Sequence, residues 1–182
     1  MIAFSGHRID EIGRTPARFP PEAEQPVADM LGATLDNFEG EIVSGFGALA
    51  SGGDILFHEA CLDRGIPTTI LLPLPVEPFL AASVTPSGQS WTDRARWLLT
   101  QRPFAVIADA TETNGIAVFE RGNLWILQEA IQAAKREEAE PAVVVIWDGE
   151  HSGLPGGTDH IVQIANQHGI PVTVIDPTEH RR

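Results

Sequence analysis

Short apolar runs alternate with longer amphipathic stretches along the whole chain. The runs Ile2–Ser5, Ile42–Ser44, Thr68–Leu72, Phe104–Ala108, Ala142–Trp147 and Pro171–Ile175 are β-branched or aromatic and are bounded by Gly, Pro or Asp, which predicts strands. Between them, Pro21–Phe38, Asp54–Arg64, Thr92–Gln101, Phe119–Glu138 and Thr158–His168 carry helical spacing. Gly65 and Gly169 each stop a helix, and each is followed by Ile-Pro and a strand. Strands that alternate with helices imply parallel pairing through crossover connections. The prediction is a single α/β domain over 1–182 with a Rossmann-like, doubly wound, mostly parallel sheet of about six strands flanked by helices. Val143–Trp147 is apolar almost without interruption, as a strand buried on both faces should be.

Two connections are longer than linkage alone requires. Gly6–Pro20 carries arginines and ends in Arg18-Phe19-Pro20, and Pro73–Ser90 carries Pro73, Pro75, Pro78 and Pro86. Both are expected to be structureless, and long connections of that kind often serve as functional lids.

Charge narrows the partners. Lys and Arg number 12 against 25 Asp and Glu, a formal net charge of −13. A field of that sign repels nucleic-acid backbones and anionic membrane surfaces, while leaving room for a local basic pocket that holds one small phosphate. No apolar run reaches the ~20 residues that cross a bilayer. The N-terminus lacks the charged start and apolar stretch of a signal peptide, and the single cysteine, Cys61, cannot form an intrachain disulfide. The expectation is a cytoplasmic domain with no nucleic-acid and no membrane partner.

In open α/β sheets, ligands bind beyond the carboxyl ends of the strands, near the point where strand order reverses. The first strand leaves through Ser5-Gly6-His7-Arg8, where Gly6 lets backbone approach a ligand and the side chains can donate to phosphate oxygens. The second leaves through a glycine-rich stretch in which Gly45, Phe46, Gly52, Gly53 and Asp54 precede a helix, whose unpaired N–H groups attract anions. Gly45–Ala50 fits Gly-x-Gly-x-x-Ala, but it follows the second strand and its helix starts too late for a dinucleotide fingerprint. Asp54 also suits a helix start. His58 shares its helix face four residues on, a spacing better explained by hydrogen bonding than by a metal. Asp109 follows the fourth strand and Asn123 the next helix start; either can touch a ribose or base, or cap a loop. The fifth strand leaves through Trp147-Asp148-Gly149, and a second glycine-rich turn, Gly156-Gly157-Thr158-Asp159, opens the last helix. Trp91 and Arg94 fall on one helix face, where a ring and a guanidinium can clamp a base and a phosphate or pack as ordinary partial core. There is no G-x-S-x-G elbow, Walker loop, H-E-x-x-H or cysteine pair, so no metal and no cofactor are expected.

The stretch Val43-Ser44-Gly45 through Gly52-x-Asp54-x-x-x-His58, with Ala60 and Gly65-Ile66-Pro67, resembles the SLOG superfamily. That group includes the Lonely Guy phosphoribohydrolases and the DNA-processing protein A family. Ser5-Gly6-His7-Arg8 resembles the Gly-His-Arg start of other members. Ala50-x-Gly52-x-Asp54-Ile55-Leu56-x-x-Glu59, Leu72-Pro73, Trp147-Asp148-Gly149 and Gly157-Thr158 are most similar to bacterial SLOG-like segments found with tetratricopeptide-repeat or nucleotide cyclase modules. The resemblance implies a Rossmann-like fold and a nucleotide-derived ligand. It also implies either a sensor that reports to an effector protein or cleavage of an N-glycosidic bond. Pro155-Gly156-Gly157-Thr158 keeps a shortened form of the phosphoribohydrolase signature Pro-Gly-Gly-x-Gly-Thr-x-x-Glu, and Ile161 stands where its Glu would fall. The expected function is therefore a nucleotide-binding sensor module. The alternative is a nucleotide N-glycosidase or transferase, with Glu59 and Asp148 as catalytic candidates because Asp54 and Asp159 have helix-start explanations. A single-stranded DNA binder is disfavoured by the charge. Homo-oligomerisation is an open expectation, since related domains often pair.

Overall fold

The computed structural model describes residues 1–11, 13–107, 116–150 and 157–179. Ile2–Gly6 (β1), Gly45–Gly47 (β2), Thr68–Leu72 (β3), Phe104–Val106 (β4), Ala142–Ile146 (β5) and Val172–Ile175 (β6) form one sheet in which every neighbouring pair is parallel. Their order is β4-β3-β2-β1-β5-β6. The chain builds outward from β1 to β4, crosses back, and continues through β5 to β6, so the order reverses between β1 and β5. This is the doubly wound, Rossmann-like α/β arrangement that the alternating pattern predicts.

The helices are Glu24–Asp36 (α1), Gly53–Asp63 (α2), Val76–Ser83 (α3), Gln89–Gln101 (α4), Ile116–Arg136 (α5) and Thr158–Gln167 (α6). α1, α2 and α4 cover one face of the sheet; α5 and α6 cover the other. Alternation along the central strands feeds both layers. Val144 and Ile146 of β5 join Phe4, Ile55 and Phe57 in one buried cluster. Val143 and Val145 join Ala3, Ile126 and Ile161 in the other. In α5, Ile126, Leu127, Ala130, Ala133 and Ala134 recur at helical spacing and are buried, while Lys135 and Arg136 close the helix where its dipole favours cations. No described helix is long and apolar enough to cross a membrane.

Two elements depart from the sequence pattern. β2 is Gly45-Phe46-Gly47 rather than Ile42–Ser44. Gly45 is there for packing, since a Cβ on it would stand 2.6 Å from Phe57 Cζ; a Cβ on Gly47 would lie in ordinary contact, 3.4 Å from His58 Nε2. α3 lies inside the proline-rich connection expected to be structureless. Pro75 is its N-cap and Pro78 sits in its first turn, where a missing N–H costs nothing because no intrahelical acceptor is available there.

Candidate functional site

At the reversal between β1 and β5, the β1 exit meets the start of α2 backbone to backbone. Gly53 N–H donates to His7 O at 3.0 Å, and Ile9 N–H donates to Ser51 O at 3.1 Å. A Cβ on Gly6 would lie 2.7 Å from Gly53 Cα, and a Cβ on Gly53 would lie 2.7 Å from Gly6 Cα. Gly52 adds a φ of 92°, and a Cβ there would lie 2.5 Å from Ile9 N. The glycines at 6, 52 and 53 thus permit a main-chain crossing.

Asp54 occupies the cradle that this crossing makes. Its Oδ1 accepts from Gly6 N–H and its Oδ2 from Ala50 N–H, each at 3.0 Å. Burial pushes its carboxyl up to about 7, against the two backbone hydrogen bonds that favour ionisation. The amides at the α2 start are spoken for by backbone instead: Gly53 N–H donates to His7 O at 3.0 Å and Ile55 N–H to Ala50 O at 3.4 Å. His58 is a second internal strut. Its Nε2 donates to Ala48 O and its Nδ1 accepts from the Thr68 hydroxyl, both at 2.9 Å. Complete burial holds it neutral, with its pKa lowered to about 4. Asp54 and His58 share no partner, and no metal-binding cluster occurs among the described residues.

Beside this crossing opens a cavity of about 380 Å³, a size suited to a small organic ligand. Phe79, Phe119 and Ile126 supply apolar wall; Arg8, Arg14 and Arg18 come from the β1–α1 connection; Asn123, Gly157 and Thr158 face them. That connection is closed at its base by Asp10, whose Oδ2 accepts from the N–H groups of Arg18 and Phe19 at 2.7 and 2.9 Å. Arg8 donates to Ala82 O at 3.2 Å and has no ion-pair partner among the described residues. Arg14 pairs with Asp10 at 3.3 Å.

Behind the cavity wall, Asp148 ties β5 to this connection. Its Oδ2 accepts from Arg18 Nε at 3.0 Å, and its Oδ1 lies 2.9 Å from His7 Nε2. Burial opposes ionisation of Asp148, but the hydrogen bonds from Arg18 and His7 outweigh it and hold the carboxyl at about 2. His7 is lowered by burial, a shift its bond to Asp148 opposes and the charge on Arg18 reinforces. Arg18 Nη2 also stands 2.9 Å from His7 Nε2. On its other edge, His7 Nδ1 lies 3.5 Å from Thr158 Oγ1 at the first turn of α6.

The cavity brings together Ser5, Gly6, His7, Arg8, Asp54, Asn123, Gly157 and Thr158 from the residues singled out by sequence. Asp148 sits behind His7 and Arg18. Gly45, Phe46, Gly52, Gly53, Trp147 and Asp159 do not line it. Phe46 and Trp147 are buried in the layer under α5 and α6, and Asp159 is buried at the α6 start. Asp109 and Gly156 lie outside the described residues. Glu59, Trp91 and Arg94 form a separate cluster on the other side of α2. Arg94 grips both Glu59 oxygens, at 2.8 and 2.5 Å, reaches Glu24 at 2.7 Å, and lies 4.1 Å above the Trp91 ring. Glu59 therefore faces an arginine and does not line the switch-point cavity. Arg94→Ala is expected to cost about 1–2 kcal/mol of stability in urea unfolding and to leave ligand affinity at the cavity unchanged. A loss of affinity with stability intact would place the cluster in the site after all.

Sequence reasoning missed Arg14, Arg18 and Asp10 as site residues, and also Phe79. The length of the β1–α1 connection was the signal for the first three. Phe79 was hidden with α3 among the prolines.

The fold is a doubly wound α/β domain with a cavity at its topological switch point. No family model and no curated protein matches the sequence. Among solved structures, the X-ray structure of DNA processing protein A from Streptococcus pneumoniae is similar at a TM-score of 0.41 and 13% sequence identity. The match covers 92% of this chain and 61% of that one, so this chain spans less than two thirds of that structure's length. The fold assignment rests on the strand order.

Proposed function

We propose that the domain binds a nucleotide or nucleotide-derived ligand at the carboxyl ends of β1 and β5 and serves as a sensor module. The observation that carries this is the make-up of the switch-point cavity. In a chain of net charge −13, three of its arginines gather at one mouth, opposite the start of α6 and beside an apolar wall. A phosphate suits the arginines and the helix start, and a flat base suits Phe79 and Phe119. N-glycosidic cleavage would need a carboxylate turned to the sugar. Asp148 is held by Arg18 and His7, Asp54 by two backbone amides, and Glu59 by Arg94, which supports sensing over that cleavage. A sensor of this kind needs a protein partner that reads the occupied state, and the β1–α1 connection carrying Arg8, Arg14 and Arg18 is the segment whose position a ligand would alter.

Calorimetric titration against a panel of nucleotides and cyclic nucleotides tests the reading. Arg8→Gln is expected to weaken a phosphate-bearing ligand about 10-fold and to leave the matching nucleoside unaffected. Absence of binding by every member of the panel at high micromolar concentration would overturn it.

A further inference from the structure

Resting on the nucleotide reading above, we infer that the switch-point cavity takes a singly charged phosphodiester, a cyclic mononucleotide in preference to a nucleoside 5′-monophosphate. Charge is the first support. Of the 12 Lys and Arg in the chain, Arg8, Arg14 and Arg18 line the cavity. Two of these three are already matched. Arg18 Nε donates to Asp148 Oδ2 at 3.0 Å, and Arg14 Nε stands 3.3 Å from Asp10 Oδ1. Both carboxylate side chains are more than nine-tenths buried, so solvent ions screen them little. Arg8 is the cation left over: its Nη1 donates to Ala82 O, and it has no ion pair among the described residues. Glu11 acts on Arg8 from outside, being exposed and absent from the cavity lining. His7 is neutral, buried and 2.9 Å from the Arg18 guanidinium. The segments 108–115 and 151–156, outside the described residues, contain Asp109 and Glu112 but no Lys or Arg, so neither adds such a cation.

The lining therefore offers one uncompensated positive charge, and a phosphodiester brings one negative charge to meet it. A 5′-monophosphate at about pH 7.5 carries close to two. Its second charge would leave water without a partner, in a cavity already lined by the Asp10 and Asp54 carboxyls. Hydrogen-bonding shape agrees with the charge. With Nη1 turned to Ala82 O, Arg8 keeps its Nε–Nη2 edge, a two-donor fork. The two non-bridging oxygens of a phosphodiester fit that fork. At about 380 Å³ the cavity lies toward the small end of ligand pockets, with room for one nucleotide whose base meets Phe79 and Phe119.

Calorimetric titration at about pH 7.5 with matched pairs tests the assignment: the 3′,5′-cyclic and 5′-monophosphate forms of adenosine, guanosine, cytidine and uridine. The best-bound base is expected to favour its cyclic form by about 10-fold in Kd. Equal affinity, or tighter binding of the monophosphate, overturns the phosphodiester assignment and leaves the nucleotide reading standing. Absence of binding by every compound removes both. The methyl ester of the 5′-phosphate separates charge from ring shape, since it is a monoanion without the ring. It is expected to regain most of the 10-fold factor, and an affinity no better than the monophosphate's overturns the charge match. Asp10→Asn checks the same match from the protein side. Its amide oxygen can still accept from the Arg18 and Phe19 N–H groups, while Arg14 loses its counter-charge. The preference for the cyclic form should then fall to about 2-fold, and an unchanged preference in a variant that melts as a folded protein overturns the charge match. Should Asp10→Asn not fold, Arg14→Gln takes its place. It leaves Asp10 without its cation, so the preference should widen, and an unchanged preference is again decisive.

Discussion

Gly53→Ala is expected to lower the melting temperature by about 8–16 °C, or to leave the chain insoluble, without touching any ligand. The new methyl would stand 2.7 Å from Gly6 Cα and 3.2 Å from Gly6 C, so backbone and not a movable side chain must give way. Overpacking that side chains can absorb costs about 1–3 kcal/mol. Here β1 must shift relative to α2, which also disturbs the Gly53 N–H bond to His7 O and the pairing of Gly6 with Ile146 on β5. A cost of about 4 kcal/mol or more follows, a large share of the ~5–15 kcal/mol that holds an ordinary domain together. Gly32→Ala is the control. A Cβ there overlaps just as severely, at 2.6 Å, but the atom it meets is the Arg64 Nη2 at the end of a flexible, surface-paired side chain. The tip can swing away, and alanine gains up to about 1 kcal/mol over glycine inside a helix. Thermal melts of the two variants side by side check the contrast, and equal losses would refute the account of the β1–α2 crossing.

The same contrast explains what the sequence could and could not disclose. β3 was legible to the residue, because Thr68–Leu72 is a β-branched and apolar run between a proline and a proline-led loop. β2 was not, because a strand of Gly-Phe-Gly looks like a turn until one knows that Phe57 presses against Gly45. α3 was masked by prolines that permit a first helical turn as readily as a loop. The exits of β1 and β5 were readable from strand-end chemistry alone, and the residues it singled out there, Ser5, His7, Arg8 and Thr158, line one cavity in the structure. The glycines at 52 and 53 were read as part of a phosphate-binding turn; in the structure they carry the main-chain crossing of β1 over α2, where Gly53 N–H bonds His7 O. Glu59 and Arg94 show the deeper limit. Helical phase says which residues share a face, but which other helix that face meets is a property of the tertiary packing.

Asp54 and His58 are expected to hide each other's pH dependence, and Asp54→Asn to expose it. Asp54 is raised in the folded protein from 3.8 to about 7. Its contribution is present in full below pH 3.8 and is lost as pH rises to about 7, where the buried carboxylate must form. The difference corresponds to about 4 kcal/mol. His58 is lowered from 6.5 to about 4, so its contribution is present in full above pH 6.5 and is lost as pH falls to about 4. Between those limits the folded state holds one proton on Asp54 and none on His58, and the unfolded state holds the reverse. The proton counts are equal, so the pair gives no slope there. Asn at 54 removes one half. Stability relative to wild type should then climb by about 1.4 kcal/mol per pH unit between pH 4 and 6.5, on top of a constant loss from the imperfect fit of an amide to the Gly6 and Ala50 N–H groups. His58→Gln should tilt the other way, losing stability as pH rises from about 4 to 7. His7 and Asp148 also titrate with the fold, but their slopes are common to all three proteins and vanish in the differences. Urea unfolding at pH steps between about 4 and 8 reads both slopes. Parallel profiles for wild type and Asp54→Asn would mean that Asp54 is ionised throughout, held by its two backbone donors strongly enough to overcome burial.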